Sequence, residues 1–276
     1  MLADDDHLAA DLAGEAGRRL LALRACGGDP DDLRREGDRR SHEFLAAELA
    51  RYRPGDALLS EEGADSRERL SASRVWIVDP LDGTREFGEP GRTDWAVHVA
   101  LWERGSVRSR RASSGIRGSV RSRRASSGIN GELTAGAVAL PARGRTLTTA
   151  DPPASPAGRP GDGRMRLVVS RTRPPGFMAR LAGKTGAELV PLGSAGAKAA
   201  AVICGDAEAY VHSGGQYEWD SAAPVAVALA AGLHASRIDG SKLAYNQDPP
   251  SLPDILICQA ALAGMLLDAI SSVREE

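Results

Sequence analysis

Val75-Trp-Ile-Val-Asp-Pro-Leu-Asp-Gly-Thr84 joins a run of large apolar residues to two carboxylates, Asp79 and Asp82, and then to a Gly-Thr turn. The apolar run has the length and composition of a buried strand. A strand of that kind holds both acids rigidly at its C-terminal end. Two carboxylates so close repel each other unless a cation lies between them. Oxygen-only ligands favour a hard ion, and Mg²⁺ is the simplest choice. After Asp82, Gly83-Thr84-Arg85 reads as a helix start whose free amides suit a phosphate. The plain alternative is a capping turn in which Asp82 satisfies backbone donors.

Two further acidic nodes lie outside this stretch. Glu61 and Glu62 follow the short apolar run Ala57-Leu-Leu-Ser60, and Asp220 follows Trp219 in Glu218-Trp-Asp-Ser-Ala-Ala223. Asp79 and Asp82 have the reach to bind one ion or bridge two, and the Leu81 carbonyl adds another oxygen. Glu61 can complete a metal shell and hold a water together with Thr84, whereas Glu62 reads as a solvated neighbour. Asp220 is either a helix cap or a ligand reaching into a cleft between two halves of the chain. Gly193-Ser-Ala-Gly-Ala-Lys198 is a small-residue helix start. Its backbone can approach a sugar or phosphate, with Lys198 as a point charge. The alternative is close helix packing through Ala and Gly.

The chain has 276 residues, 42% of them hydrophobic, enough for a large core. A net charge of −2 and 4% aromatic residues argue against a general nucleic-acid or membrane surface. Cys26, Cys204 and Cys258 are too few and too scattered for a disulfide framework or a zinc site. The acidic start, Met-Leu-Ala-Asp-Asp-Asp6, lacks the pattern of a signal peptide, and no apolar run is long enough to span a bilayer. The expectation is a cytoplasmic protein. None of the five histidines shows ligand spacing, and His98, inside an apolar run, reads as a core residue.

Apolar spacing predicts helices over 7–25, capped by Asp5 or Asp6, and over 40–51, then strands over 57–60, 75–79 and 95–102 with a hairpin partner over 135–141. Pro, Gly and Asp over 151–164 mark a junction. Beyond it, strands over 166–170, 187–191, 209–212, 235–238 and 255–259 alternate with helices over 177–185, 193–204, 221–231 and 260–272. This is an α/β pattern, and Pro224 would fall in the first turn of its helix. Two subdomains are expected: residues 1–150, α+β and metal-binding, and residues 165–276, α/β and substrate-binding. Residues 104–116, RGSVRSRRASSGI, recur unchanged as 117–129, with eight Arg and no acid between them. This duplication reads as a disordered hairpin insertion rather than a repeat architecture. An Arg-rich arm for RNA or acidic partners is the functional alternative.

Together, Glu61-Glu62, Asp79-Pro-Leu-Asp-Gly-Thr84 and Trp219-Asp-Ser-Ala-Ala223 resemble the lithium-sensitive, Mg²⁺-dependent inositol monophosphatase superfamily, over nearly the whole chain. Asp82-Gly-Thr-Arg-Glu-Phe87, Gly193–Lys198 and Asp239-Gly-Ser-Lys-Leu-Ala-Tyr245 bring the chain nearest to its CysQ type, the 3′(2′),5′-bisphosphate nucleotidases. Ser213 stands where inositol enzymes tend to carry an acid. The usual Thr-x-Ala-Asp lead-in is Arg35-Glu-Gly-Asp38 here, and Pro224 replaces a common Gly. The resemblance implies a layered αβαβα sandwich and a phosphoric monoester hydrolase acting on 3′-phosphoadenosine 5′-phosphate, with the sulfated nucleotide as a related substrate, in sulfate assimilation. It implies two Mg²⁺, or three, held by Glu61, Asp79, the Leu81 carbonyl, Asp82 and Asp220, with Asp38 near a weaker third. Glu61 and Thr84 would act on the water, and Asp38 would join the catalytic group. Gly83, Thr84, Gly193, Ser194 and Lys198 would contact substrate. The implied partner is a small phosphorylated nucleotide, with no nucleic acid or membrane, and a homodimer is the candidate assembly. The alternatives are a broad sugar phosphatase for inositol 1-phosphate or fructose 1,6-bisphosphate, and, more remotely, a nucleic-acid binder using the Arg-rich loop.

Overall fold

The computed structural model describes residues 4–105, 131–154, 156 and 163–275. The duplicated segment falls almost wholly outside these residues, as does the expectation of disorder placed on it. The chain begins with two long helices, α1 (Asp5–Ala25) and α2 (Pro30–Tyr52). Asp4, not Asp5 or Asp6, caps α1, accepting from the His7 amide at 2.9 Å. The second helix starts ten residues before the predicted 40, because Asp29 caps it and Pro30 occupies its first turn.

Strands β1 (Ala57–Ser60), β2 (Arg74–Asp82), β3 (Ala96–Arg104), β4 (Gly131–Leu140) and β5 (Arg145–Thr148) form one sheet in chain order. β1 and β2 are parallel, and the other pairs are antiparallel. The short helix α3 (Thr84–Gly88) leaves the end of β2. β6 (Arg166–Ser170), β7 (Glu188–Leu192), β8 (Ala209–Tyr217), β9 (His234–Ser236) and β10 (Ser251–Cys258) form the second sheet in the order β7-β6-β8-β10-β9. Between these strands run α4 (Met178–Thr185), α5 (Ala195–Ile203) and α6 (Glu218–Ala230), and α7 (Ala263–Glu275) closes the chain.

Strand alternation sorts the core into three layers. Trp76 and Val78 of β2 and Val97, Val99 and Leu101 of β3 pack beneath α1 and α2. Val75 and Ile77 of β2 point the other way, onto the Ala-rich helices α5 and α6, which also cover Ile255 and Ile257 of β10. Leu256 of β10 faces outward with Leu167 and Val169, against Leu181 of α4 and Leu266 and Ile270 of α7. The result is an αβαβα sandwich. Each fully buried aliphatic side chain in these layers contributes roughly 1.5–3 kcal/mol.

The middle layer carries the site, and two sequence expectations are corrected there. Helix α6 begins at Glu218 rather than 221, because Asp220 accepts from the Tyr217 amide at 2.7 Å in a capping box. Pro224 therefore lies inside the helix, beyond its first turn, and cannot donate to the Asp220 carbonyl. Gly232, with φ +80, follows the C-cap Ala231, in the position where glycine commonly ends a helix. Among the described residues no helix is long and apolar enough to cross a membrane.

Candidate metal centre and cleft

The buried end of β2 delivers the first two acids. Asp79 is 1% exposed and Asp82 6%. Ser41 of α2 donates to the Pro80 carbonyl at 2.7 Å, and the Leu81 amide donates to Asp79 Oδ1 at 3.1 Å. These bonds fix the turn between the acids. The first turn of α6 brings Asp220 from the second sheet's side. Carboxylate oxygens of Asp79, Asp82 and Asp220 all lie within 4.8 Å of one another. Glu61, just past β1, stands at the solvent side and lines the same cleft of about 420 Å³. Leu81, Gly83, Thr84, Gly193, Ser194 and Lys198 also line it. Asp38 does not, but it accepts from Thr84 Oγ1 at 3.2 Å, and the same hydroxyl lies 3.0 Å from the Leu81 carbonyl. Glu62 is exposed.

Electrostatics divide this group. Burial, with the charges of Glu61, Asp82 and Asp220, pushes Asp79 well above the usual carboxylate range. Burial and Asp220 raise Glu61 to about 7, burial and Asp82 raise Asp220 to about 6, and burial and Glu62 raise Asp38 to about 7. Asp82 goes the other way. Burial opposes its charge, but His98, Lys198 and Ser194 outweigh that and hold it at about 2. Its carboxylate accepts from the Ala195 amide at 3.0 Å, the Gly196 amide at 2.6 Å and the Ser194 hydroxyl. Asp82 thus stoppers the N-terminus of α5.

His98, fully buried on β3, is more than a core residue. Its Nδ1 donates to the Trp219 carbonyl at 3.0 Å, and its Nε2 lies 3.2 Å from Asp82 Oδ2, an ionic contact without hydrogen-bond alignment. One ring therefore touches the carboxylate of one node and the backbone preceding another. Gly196 is required beneath it, because a Cβ there would sit 2.1 Å from His98 Nε2. Gly193 likewise has Glu86 against it, 2.2 Å from where a Cβ would stand. The small residues of 193–196 admit protein side chains this closely.

The rest of the 193–198 turn is also tied internally. The Gly193 amide donates to Asp94 Oδ2 at 2.7 Å, and the Ser194 hydroxyl accepts from the Ala197 amide at 2.9 Å. Lys198 spends two of its three N–H bonds on the Gly193 and Ser194 carbonyls, at 2.9 and 2.7 Å. Arg171 crosses to Glu86 and Glu89 at 2.6 and 3.0 Å. Sequence reasoning read His98 as a core residue and singled out none of Glu86, Asp94 or Arg171. Only Glu86, inside the Asp82–Phe87 motif, carried any local signal. Thr172, Arg173, His212, Gly215 and Gln216 complete the far wall of the cleft, also without prior assignment.

The donor set is all oxygen, its members converge from three elements, and three of its carboxyls are forced toward protonation for want of positive charge. Those properties fit hard divalent ions. Comparison with known proteins agrees. Residues 8–109 and 128–274 match the profile of the inositol monophosphatase family, on either side of most of the duplicated segment. The chain is 50% identical over 274 residues to a 3′-phosphoadenosine 5′-phosphate phosphatase of Mycobacterium leprae, covering 98% of this chain and 94% of the relative. It is 51% identical over 262 residues to the protein of that name from Mycobacterium bovis, covering 93% and 90%. Its fold is similar to that of inositol monophosphatase II of Staphylococcus aureus, with a TM-score of 0.72 at 20% identity over 94% of this chain and 92% of that one.

Proposed function

This chain belongs to the inositol monophosphatase family, a metal-dependent family, and on that premise we propose that it removes the 3′-phosphate of 3′-phosphoadenosine 5′-phosphate, giving AMP and inorganic phosphate. The meeting of Asp79, Asp82 and Asp220 within 4.8 Å in a cleft carries this reading. The phosphatases named above, about half identical over nearly all of the chain, support the substrate.

Glu61, Asp79, Asp82, Asp220 and the Leu81 carbonyl would hold two Mg²⁺ ions, with Asp38 beside a third, and these supply the charge that polarises the phosphate and acidifies water. Thr84 has one O–H. Donating it to Asp38 leaves the Oγ1 lone pairs to accept from the attacking water, and Glu61, at the open side, takes the water's proton. The Gly83 and Thr84 amides steady charge on the phosphate oxygens. Gly193, Ser194 and Lys198 form the opposite wall on the nucleotide side, where the one N–H that Lys198 has left and the Arg173 guanidinium offer positive charge to the second phosphate. In this division residues 1–150 form the metal-binding half and residues 165–276 the substrate-binding half. The setting we assign is the cytoplasm, in turnover of the nucleotide left by sulfate assimilation, with a small molecule rather than a nucleic acid or membrane as partner and a homodimer as the assembly.

The test is phosphate release with Mg²⁺, with and without lithium, on 3′-phosphoadenosine 5′-phosphate against inositol 1-phosphate and fructose 1,6-bisphosphate. Preference for the nucleotide, with inhibition by lithium, is expected. Preference for either sugar phosphate would overturn the assignment.

A further inference from the structure

The far wall of the cleft holds two polar atoms that hydrolysis leaves unused. His212 and Gln216, 5% and 7% exposed, lie on β8 on either side of the Gly214-Gly215 kink. The His212 Nε2 sits 2.7 Å from the Gly214 carbonyl. A carbonyl only accepts, so Nε2 carries the proton and Nδ1 is a bare lone pair. Burial holds this imidazole below its ordinary pKa, which keeps the ring neutral. Gln216 donates through Nε2 to the Tyr210 hydroxyl at 2.8 Å, leaving Oε1 as a second acceptor. Among the described residues neither His212 Nδ1 nor Gln216 Oε1 has a partner. Buried acceptors without donors are costly to keep, and both side chains line the cleft that holds Asp79 and Asp220.

We infer that His212 Nδ1 and Gln216 Oε1 form an acceptor-only subsite that takes a hydrogen-bond donor on the organic half of the substrate, either the amino group of its base or a hydroxyl of its sugar. The inference rests on the nucleotide reading above and adds to it the rule by which one nucleotide is told from another. A base that presents an oxo group where adenine presents an amino group would set acceptor against acceptor. A sugar lacking the hydroxyl would leave both atoms unpaired.

The unaltered enzyme decides this first. Its kcat/KM is measured on 3′-phosphoadenosine 5′-phosphate, on the inosine counterpart and on the 2′-deoxy counterpart. One of the two changes should lower kcat/KM on the order of 10- to 100-fold, chiefly through KM, and so identify the donor. Gln216→Met should flatten that preference, whereas Gln216→Glu, which keeps an acceptor in place, should preserve it. The ratio between substrates is the readout, because a general loss of activity leaves it unmoved. Equal rates on all three nucleotides would overturn the inference while leaving the nucleotide reading intact, and so would an undiminished preference in Gln216→Met. Faster turnover of inositol 1-phosphate than of any nucleotide would overturn both.

Discussion

Two helix starts face the cleft, and they have opposite fates. The amides opening α5 are already bonded to protein: Gly193 to Asp94, Ala195 and Gly196 to Asp82, and Ala197 to the Ser194 hydroxyl. The start of α3 is different. Gly83 takes a left-handed conformation, φ +85, and among the described residues no side chain caps the helix. Both segments read alike in the sequence, as small residues whose backbone could cradle an anion. The contrast teaches that a helix start is open to a ligand only where the fold has not supplied its own carboxylate. Under the proposed function Asp82 would therefore have two tasks, ligand and helix cap, whereas Asp79, which accepts only from the Leu81 amide of its own turn, caps no helix.

The largest test of that contrast sets Asp79→Asn beside Asp82→Asn. Each should cut turnover roughly a thousandfold, the scale of losing one charge-stabilising group. Melting should separate them. Metal-free Asp79→Asn should melt at or above the parent temperature, because an acid disfavoured there by burial and by its acidic neighbours is gone. Asp82→Asn should melt several degrees lower, because its amide leaves α5 donors unpaired. Equal melting temperatures would break the comparison. Gly83→Ala comes next. A Cβ there would lie 3.0 Å from that of Ser194 and 3.2 Å from the Asp94 carbonyl, at an unfavourable φ. A loss of about 1–2 kcal/mol of stability and a roughly tenfold fall in kcat are expected, read by denaturant melts and phosphate release. Ser194→Ala removes one cap and should cost about 1 kcal/mol, with a smaller effect on rate. The gentlest probe is pH. Glu61 and Asp38 titrate at about 7 and Asp220 at about 6, above their ordinary values of 4.5 and 3.8. Between those limits the folded protein keeps protons that the unfolded chain has released, so stability falls as pH rises from about 4 to 7. Asp82, lowered to about 2, acts only below that window, where stability falls as pH drops. Melts in chelator should therefore show a falling melting temperature across it, and saturating Mg²⁺ should reduce the slope to what Glu218, raised by burial to about 7 outside the cleft, still contributes.

Much of this was legible in the sequence because it rests on short-range pattern. The run Val75–Val78 alternates faces yet is buried on both, and such a strand needs nothing but apolar residues to be recognised. The acidic nodes stood out because carboxylates at the ends of apolar runs are expensive. What escaped depends on partners distant in the chain. The early start of α2 was hidden because Leu33 is the one large apolar residue among residues 31–40, and because Gly37 discourages helix. Its missing Cβ is explained only by Leu81 and Phe87, which lie 2.9 Å from where that atom would be. Strand β5 was missed because Arg145–Thr148 is a short edge strand whose pattern is set by β4. His98 looked like any buried residue. Its contact with Asp82 spans 16 positions, and its bond to Trp219 spans 121.

The seat of Asp82 also sets the mechanics of the enzyme. The carboxylate leaves the end of an interior strand of one sheet and plugs a helix of the layer between the two sheets, with Arg171 riveting the same seam through Glu86 and Glu89. The two jaws cannot swing apart along that line without stripping a ligand from its donors. On the proposed reading, nucleotide and phosphate would pass through the mouth beside Glu61, between walls held as a fixed vice rather than a hinge.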